Sequence, residues 1–198
     1  MTITKNCCDY IMKTICGMTI EEYVGKISSF HGHEAPGLII GGFMVDLAMK
    51  NFSYGEFFDA ICETSTCLPD AIQLLTPCTV GNGWLKIIDA GKFAIVFYNK
   101  ETGEGTRVFL DMDKLKPHKE TFSWFMKLKK KSEQDKELLL NEIKSAGDSI
   151  LSYSKINITE SFLGKKSIGS TVICPICSEA YPVKDGDKCI GCQGAMPY

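Results

Sequence analysis

At 198 residues the chain can hold one good-sized hydrophobic core and a small appendage. Its 44% hydrophobic and 23% charged content is ordinary for a soluble globular protein, and a formal net charge of -2 excludes a surface built throughout for nucleic acid. The N-terminus lacks the apolar run of a signal peptide, and no stretch approaches the roughly 20 apolar residues that span a bilayer, so a cytoplasmic protein with no membrane partner is expected.

Residues 6 to 25 carry Tyr10, Ile11, Ile15, Ile20, Tyr23 and Val24 at helical spacing. Gly17 and the capping-box pattern Thr19-x-x-Glu22 predict that one helix ends there and another begins. A buried helix should start at Pro36, because proline suits a first helical position and the following residues are apolar all round. Gly41 and Gly42 inside it point to close backbone packing or a bound group.

After Tyr54-Gly55-Glu56, a strand is predicted over Phe57 to Glu63, a short helix over Leu68 to Leu75, and a loop over Pro77 to Gly83. Trp84 to Ile88 and Lys92 to Tyr98 flank Asp89-Ala90-Gly91 and read as a hairpin, and a third strand follows over Thr106 to Leu110. The expected core is α+β, with helices packed on an antiparallel sheet.

Lys119 to Ala146 reads as a long charged helix, and residues 147 to 171 as a polar tether. Burying Phe122, Trp124, Phe125, Met126 and Leu128 on that helix calls for an apolar partner surface, which a second copy of the chain would supply. The expected organisation is therefore a core over residues 1–118, a helical linker and dimerisation segment over 119–169, and a metal module over 170–198.

The chain closes on two knuckles, Cys174-Pro175-Ile176-Cys177 and Cys189-Ile190-Gly191-Cys192, joined by a stretch that contains Gly186. A C-x2-C pair lets one tight turn aim two thiolates at the same ion, and four thiolates suit structural zinc. A tail with few large apolar residues hardly folds by burial alone, so ligation would supply most of its folding free energy. Cys7, Cys8, Cys16 and Cys62 lie in apolar stretches and read as packing residues.

The run Phe30-His31-Gly32-His33-Glu34-Ala35-Pro36-Gly37 is the second constellation. In an extended H-x-H the two imidazoles diverge, so both reach one ion only if the backbone curls at Gly32. His31, His33 and Cys67 are the candidate core ligands for a second transition metal, with Glu63, Cys78 and Trp84 as candidate neighbours. The alternative is a histidine pair that merely caps a helix.

These residues, with Asp70 to Gly83, Phe97 to Gly105 and the terminal cysteines, resemble the FmdE family of formylmethanofuran dehydrogenase proteins, in the branch with a C-terminal treble-clef zinc finger. The resemblance implies an α+β core, an intertwined homodimer, a metal-binding tail, and a cleft shared by the His31/His33 turn and the Cys67 region. The family name derives from an operon association with a molybdenum or tungsten enzyme of methanogenesis-related chemistry. Members typically carry a cysteine where this chain has Ala35, which removes one thiolate from the core.

Three functional readings compete. The first is a metal-binding accessory protein that holds a metal or small ligand in its core and docks a protein partner through the finger. The second is a metal-dependent enzyme acting on a small substrate, with Glu34 or Glu63 as acid or base. The third is a metal-sensing regulator that binds nucleic acid, helped by Lys127, Lys129, Lys130 and Lys131; the finger itself supports it little, since Lys184 and Lys188 stand against three acidic residues.

Overall fold

The computed structural model describes residues 13–52, 57–164 and 169–198. Cys7, Cys8, Tyr10, Ile11 and the Tyr54-Gly55-Glu56 turn lie outside the described residues. The chain divides into two compact units, Met1–Glu160 and Ser161–Tyr198.

The first unit begins with a correction. Residues 13–19 are not helical but form a small hairpin, β1 (Thr14–Ile15) and β2 (Met18–Thr19), because Cys16 and Gly17 both take positive φ, 50° and 79°. The capping box is as predicted. The Thr19 hydroxyl accepts from Glu22 N–H, the Glu22 carboxylate accepts from Thr19 N–H, and α1 (Ile20–His31) follows. It buries Tyr23, Val24 and Ile27.

Helix α2 (Pro36–Asn51) starts at the predicted proline and is the buried centre of the unit. Gly42 is needed where α1 crosses it, since a Cβ there would lie 2.3 Å from the Tyr23 ring. The Tyr23 hydroxyl donates to Leu38 O at 3.0 Å, so the ring is fixed at both ends.

Five strands form one sheet in the order β4-β3-β5-β6-β7: β3 (Phe58–Cys62), β4 (Leu85–Ile87), β5 (Ala94–Asn99), β6 (Glu104–Leu110) and β7 (Leu151–Asn157). The α+β class is as expected, and the sheet is mixed. The predicted hairpin over Trp84–Tyr98 is overturned: β3 lies between β4 and β5, parallel to the first and antiparallel to the second. The turn-like Asp89-Ala90-Gly91 instead loops around the end of β3, with Ala90 N–H donating to Glu63 O. Phe58, Ala60, Cys62, Ile95, Phe97, Val108 and Leu110 pack with α2 in the core.

Helix α3 (Leu68–Leu75) connects β3 to β4 and packs against both α1 and α2. Beyond β6 come α4 (Met112–Leu115), α5 (Lys119–Phe125) and α6 (Lys136–Ala146). The single long helix expected over 119–146 is broken, because Lys127 takes φ 54° and reverses the chain. The Glu142 carboxylate ties α6 back to α5 by accepting from both N–H and Oγ1 of Thr121 at 2.6 Å. Phe122, Trp124 and Phe125 pack on the unit's own core, while Met126 and Leu128 stay exposed. The expected tether is likewise structured: residues 151–157 are β7, paired along β6. Residues 119–157 thus belong to the first unit rather than to a linker. No helix among the described residues is long and apolar enough to cross a membrane.

In the second unit, β8 (Thr171–Ile173) and β9 (Ala180–Pro182) form a hairpin. Tyr181 and Cys174 are buried in it, while Ile173 and Ile176 remain 72% and 64% exposed, so burial in this unit is slight.

Candidate metal centres

The finger centre is assembled by two backbone turns. Cys174 to Cys177 occupies the β8–β9 connection, where Cys174 N–H donates to Glu179 O and Ser178 N–H donates to Cys174 O. Cys189 precedes a single 3-10 turn, Gly191–Gln193, and its sulfur accepts from Cys192 N–H at 3.3 Å. Gln193 fastens the two ends by donating to Asp185 O and Lys188 O.

The four sulfurs of Cys174, Cys177, Cys189 and Cys192 all lie within 4.8 Å of one another, and those of Cys177 and Cys189 are 3.7 Å apart. A tetrahedron with metal–sulfur bonds of about 2.3 Å has edges of about 3.8 Å, so the set fits one zinc ion. Backbone N–H groups of Cys177, Cys189 and Ile176 bring the Cys174 thiol down to about 6, while the neighbouring Cys189 thiol and burial push Cys192 up to about 12. Backbone donors thus prepare one thiolate, and a bound cation would draw the protons from the remainder.

The core candidates sit where three helix ends meet. Helix α1 ends at Gly32, whose φ of 89° lets its N–H reach Ser28 O and curls the chain back. The curl that H-x-H ligation requires is therefore present: the His31 and His33 rings have centroids 4.9 Å apart. His33 is exposed and His31 half-buried. The Nδ1 atom of His31 lies 2.7 Å from Oδ2 of Asp70, in the first turn of α3.

Cys67 is the residue just before α3, and it holds φ 58°, ψ -55°, a conformation that a non-glycine residue adopts at a cost. Burial, then the nearby Asp70 carboxylate, pushes its thiol pKa up. Its sulfur packs against Gly37 in the first turn of α2. Ala35, where the family typically has cysteine, is buried just ahead of that turn and has no side-chain capping bond.

The structure therefore brings His31 and His33 together and seats Cys67 in the turn that carries Asp70. Among the described residues, the finger thiols are the one set of three or more metal-type donors already converged within 4.8 Å, and the core three are not so gathered. Two candidate neighbours belong elsewhere. Cys78 is fully buried, hydrogen-bonds Phe58 O, and is raised to about 11 chiefly by burial, so it is a packing residue. Trp84 lies beneath the Lys100 ammonium, 4.0 Å from the ring centroid.

Glu63 is not a free acid or base either. Its two oxygens accept from Nε and a terminal nitrogen of Arg107 at 2.6 and 2.7 Å, and this pairing holds its carboxyl below the usual glutamate range. Glu34 lines a shallow groove of about 330 Å3 with Lys136, Glu137, Leu140, Asn141 and Lys144. Within the basic run, Lys129 is taken by Glu120 at 2.7 Å. Asp70 is the residue of the site that sequence reasoning missed, because its pairing with a histidine 39 positions earlier leaves no local signal.

Comparison with known proteins agrees with the finger and gives the family of the whole chain. Residues 165–198 match the family described as FmdE treble clef zinc finger. A crystal structure of a tungsten formylmethanofuran dehydrogenase FmdE-like protein from Syntrophus aciditrophicus is 54% identical, covers 94% of this chain and 98% of that one, and superposes with a TM-score of 0.87. A probable S-adenosyl-L-methionine-binding protein of Archaeoglobus fulgidus is 29% identical over 191 residues, 86% of this chain and 52% of the relative, so the chain spans about half the length of that protein. Residues 30–160, more than half of the chain, match the family described as FmdE, molybdenum formylmethanofuran dehydrogenase operon, and the protein belongs to the FmdE family.

Proposed function

We propose that this is a metal-binding accessory protein of the FmdE type, with structural zinc in the finger and a transition metal or small anionic ligand held in the core by His31, His33 and Cys67. The observation that carries the core reading is the curled His31/His33 pair beside Asp70, since metal-bound imidazoles commonly hand their other ring nitrogen to a carboxylate. The start of α2, Pro36, lies three residues beyond His33, and the positive end of the helix dipole favours an anion or a metal-bound carboxylate nearby.

The finger contributes an exposed apolar rim, including Val172, Ile173, Ile176 and Ile190, that suits docking of a protein partner. A homodimer in the cytoplasm is the expected assembly, with exposed Met126 and Leu128 as the part of 119–163 available to a second copy of the chain.

Elemental analysis separates the two centres. Full-length protein purified without added metal, then dialysed against Zn2+, Co2+ or Ni2+, should carry finger zinc plus a second equivalent. A His31→Ala/His33→Ala variant should lose only the second, and Cys189→Ser only the first. Metal content that never exceeds the finger's equivalent would remove core metal from the proposal. S-adenosyl-L-methionine, the ligand named for the archaeal relative, is the organic ligand to include in the same binding measurements.

A further inference from the structure

The loop after α3 is wired to His31 by side-chain and backbone groups whose hydrogen-bonding roles are fixed. The Val80 N–H donates to Oε1 of Gln73 at 3.2 Å, and Nε2 of Gln73 donates to Oδ1 of Asp70 at 3.5 Å, a long bond. The other carboxylate oxygen, Oδ2 of Asp70, faces Nδ1 of His31 at 2.7 Å. The direction of each bond follows from chemistry. A backbone N–H only donates, so the Gln73 amide must turn its oxygen to Val80 and its NH2 to Asp70. An ionised carboxylate only accepts, so the proton between Asp70 and His31 belongs to Nδ1.

From this geometry we infer that Gln73 and Asp70 are positioning residues that hold neutral His31 in the Nδ1–H tautomer and turn its Nε2 lone pair into the ligand atom of the core site. This rests on the proposed core site for its purpose, while the relay itself rests on the hydrogen bonds among Val80, Gln73, Asp70 and His31. Helix α3 supplies both residues on one face, because positions 70 and 73 lie three apart.

The far end of the relay is itself held. Asn82 accepts from Thr79 N–H at 3.1 Å and from Trp84 N–H at 3.0 Å, and its amide donates to Pro77 O at 2.8 Å. The Thr79 hydroxyl accepts from Asn82 N–H in return. A cross-bonded loop therefore presents Val80 N–H to Gln73 in one orientation. The same loop leads directly into β4, so the tautomer of His31 is anchored to the sheet.

The preference matters because free neutral histidine favours the Nε2–H tautomer, which would leave only Nδ1 to ligate. Nδ1 is the nitrogen already turned to Asp70. Without the carboxylate, His31 would have to break that preference and lose its ring orientation at each binding event.

Long-range 1H–15N correlation of the imidazole nitrogens tests this in metal-free full-length protein at about pH 8, where imidazoles are mostly neutral. The three histidines, His31, His33 and His118, are assigned by single substitution. The expected result is Nδ1–H for His31, moving towards Nε2–H in Asp70→Ala, with a smaller move in Gln73→Ala. An Nε2–H tautomer in the unmodified protein, which needs no variant to fold, overturns the inference; so does an unchanged Nδ1–H in folded Asp70→Ala. In a Co2+ titration with zinc retained in the finger, Asp70→Ala should weaken core binding by about 10- to 100-fold while Asp70→Glu recovers part of it. Equal affinity in Asp70→Ala also overturns the inference. Failure of the unmodified protein to bind any core metal removes the proposed core metal alone, and the tautomer still decides the relay.

Discussion

The thiol of Cys67 stands 2.9 Å from the point that a Cβ on Gly37 would occupy, and the Cβ of Cys67 stands 3.0 Å from it. The first turn of α2 and the residue that opens α3 are thereby locked together at the site. Adding one methyl group should push them apart. Gly37→Ala is expected to destabilise the protein by about 1–3 kcal/mol, the usual penalty for overpacking. Thermal melts of Gly37→Ala, Cys67→Ala and the double variant check it: the second substitution should recover part of the loss, and strictly additive losses would show that the two residues do not meet.

Gly42→Ala should be more severe. A Cβ there would lie 2.3 Å from the wholly buried Tyr23 ring, which cannot retreat without breaking its bond to Leu38 O. A steric cost of about 3 kcal/mol is expected, against roughly 1 kcal/mol gained from helix propensity. Urea unfolding gives the number, and a variant as stable as the parent would contradict the observed crossing of α1 and α2.

The Glu63–Arg107 pair predicts a specific acid sensitivity. The folded protein keeps Glu63 ionised at pH values where the unfolded chain already binds a proton. As pH falls through the ordinary glutamate range and then through the lowered folded value, the unfolded state gains relative stability and the pair's contribution is lost. Arg107→Ala should flatten that part of the stability–pH curve and cost about 1–3 kcal/mol at neutral pH, as expected for a charge-assisted pair. Curves of equal slope for parent and variant between about pH 5 and 3 would rule the pairing out as the cause.

Zinc removal should act on the finger alone. Cys189→Ser, or chelation of the parent, is expected to release about one zinc per chain and to make residues 161–198 sensitive to protease while the first unit keeps its melting transition. Mass spectrometry of the digest and zinc analysis read the two effects together. A protease-resistant finger without metal would mean that its hairpin folds by itself.

Local signals carried most of the fold. The Thr19/Glu22 box, Pro36 and the loop after Leu75 mark helix ends by interactions within four residues, so the sequence displays them directly. The errors arose where distant residues decide. Asp89-Ala90-Gly91 has the composition of a hairpin turn, yet β3, from well upstream in the chain, takes the place between β4 and β5. Cys16 takes a left-handed conformation that its side chain disfavours and is held there by its N–H donating to Asp46, 30 residues on, whereas Lys127 ends α5 in a local cap, with Leu128 N–H on Ser123 O and Lys127 N–H on Trp124 O, at a residue type that does not announce it. The finger was legible because C-x2-C spacing is itself a geometric statement. His31 and His33 were legible as a pair, but Asp70 was not, because it reaches His31 only once α3 has docked beside α1.

The placement of β3 inside the sheet also sets the order in which the chain can fold as it is made. When Cys62 leaves the ribosome, neither neighbour of β3 yet exists; β4 starts at Leu85 and β5 at Ala94. The far edge waits longer still, since β6 ends at Leu110 and its partner β7 begins only at Leu151. Pairing of this kind is slow to close, and through that interval β6 offers an unprotected row of backbone donors and acceptors. The synthesis of residues 111 to 150 is the period in which one nascent chain is most open to strand exchange with another, and in which a chaperone has the most to cover.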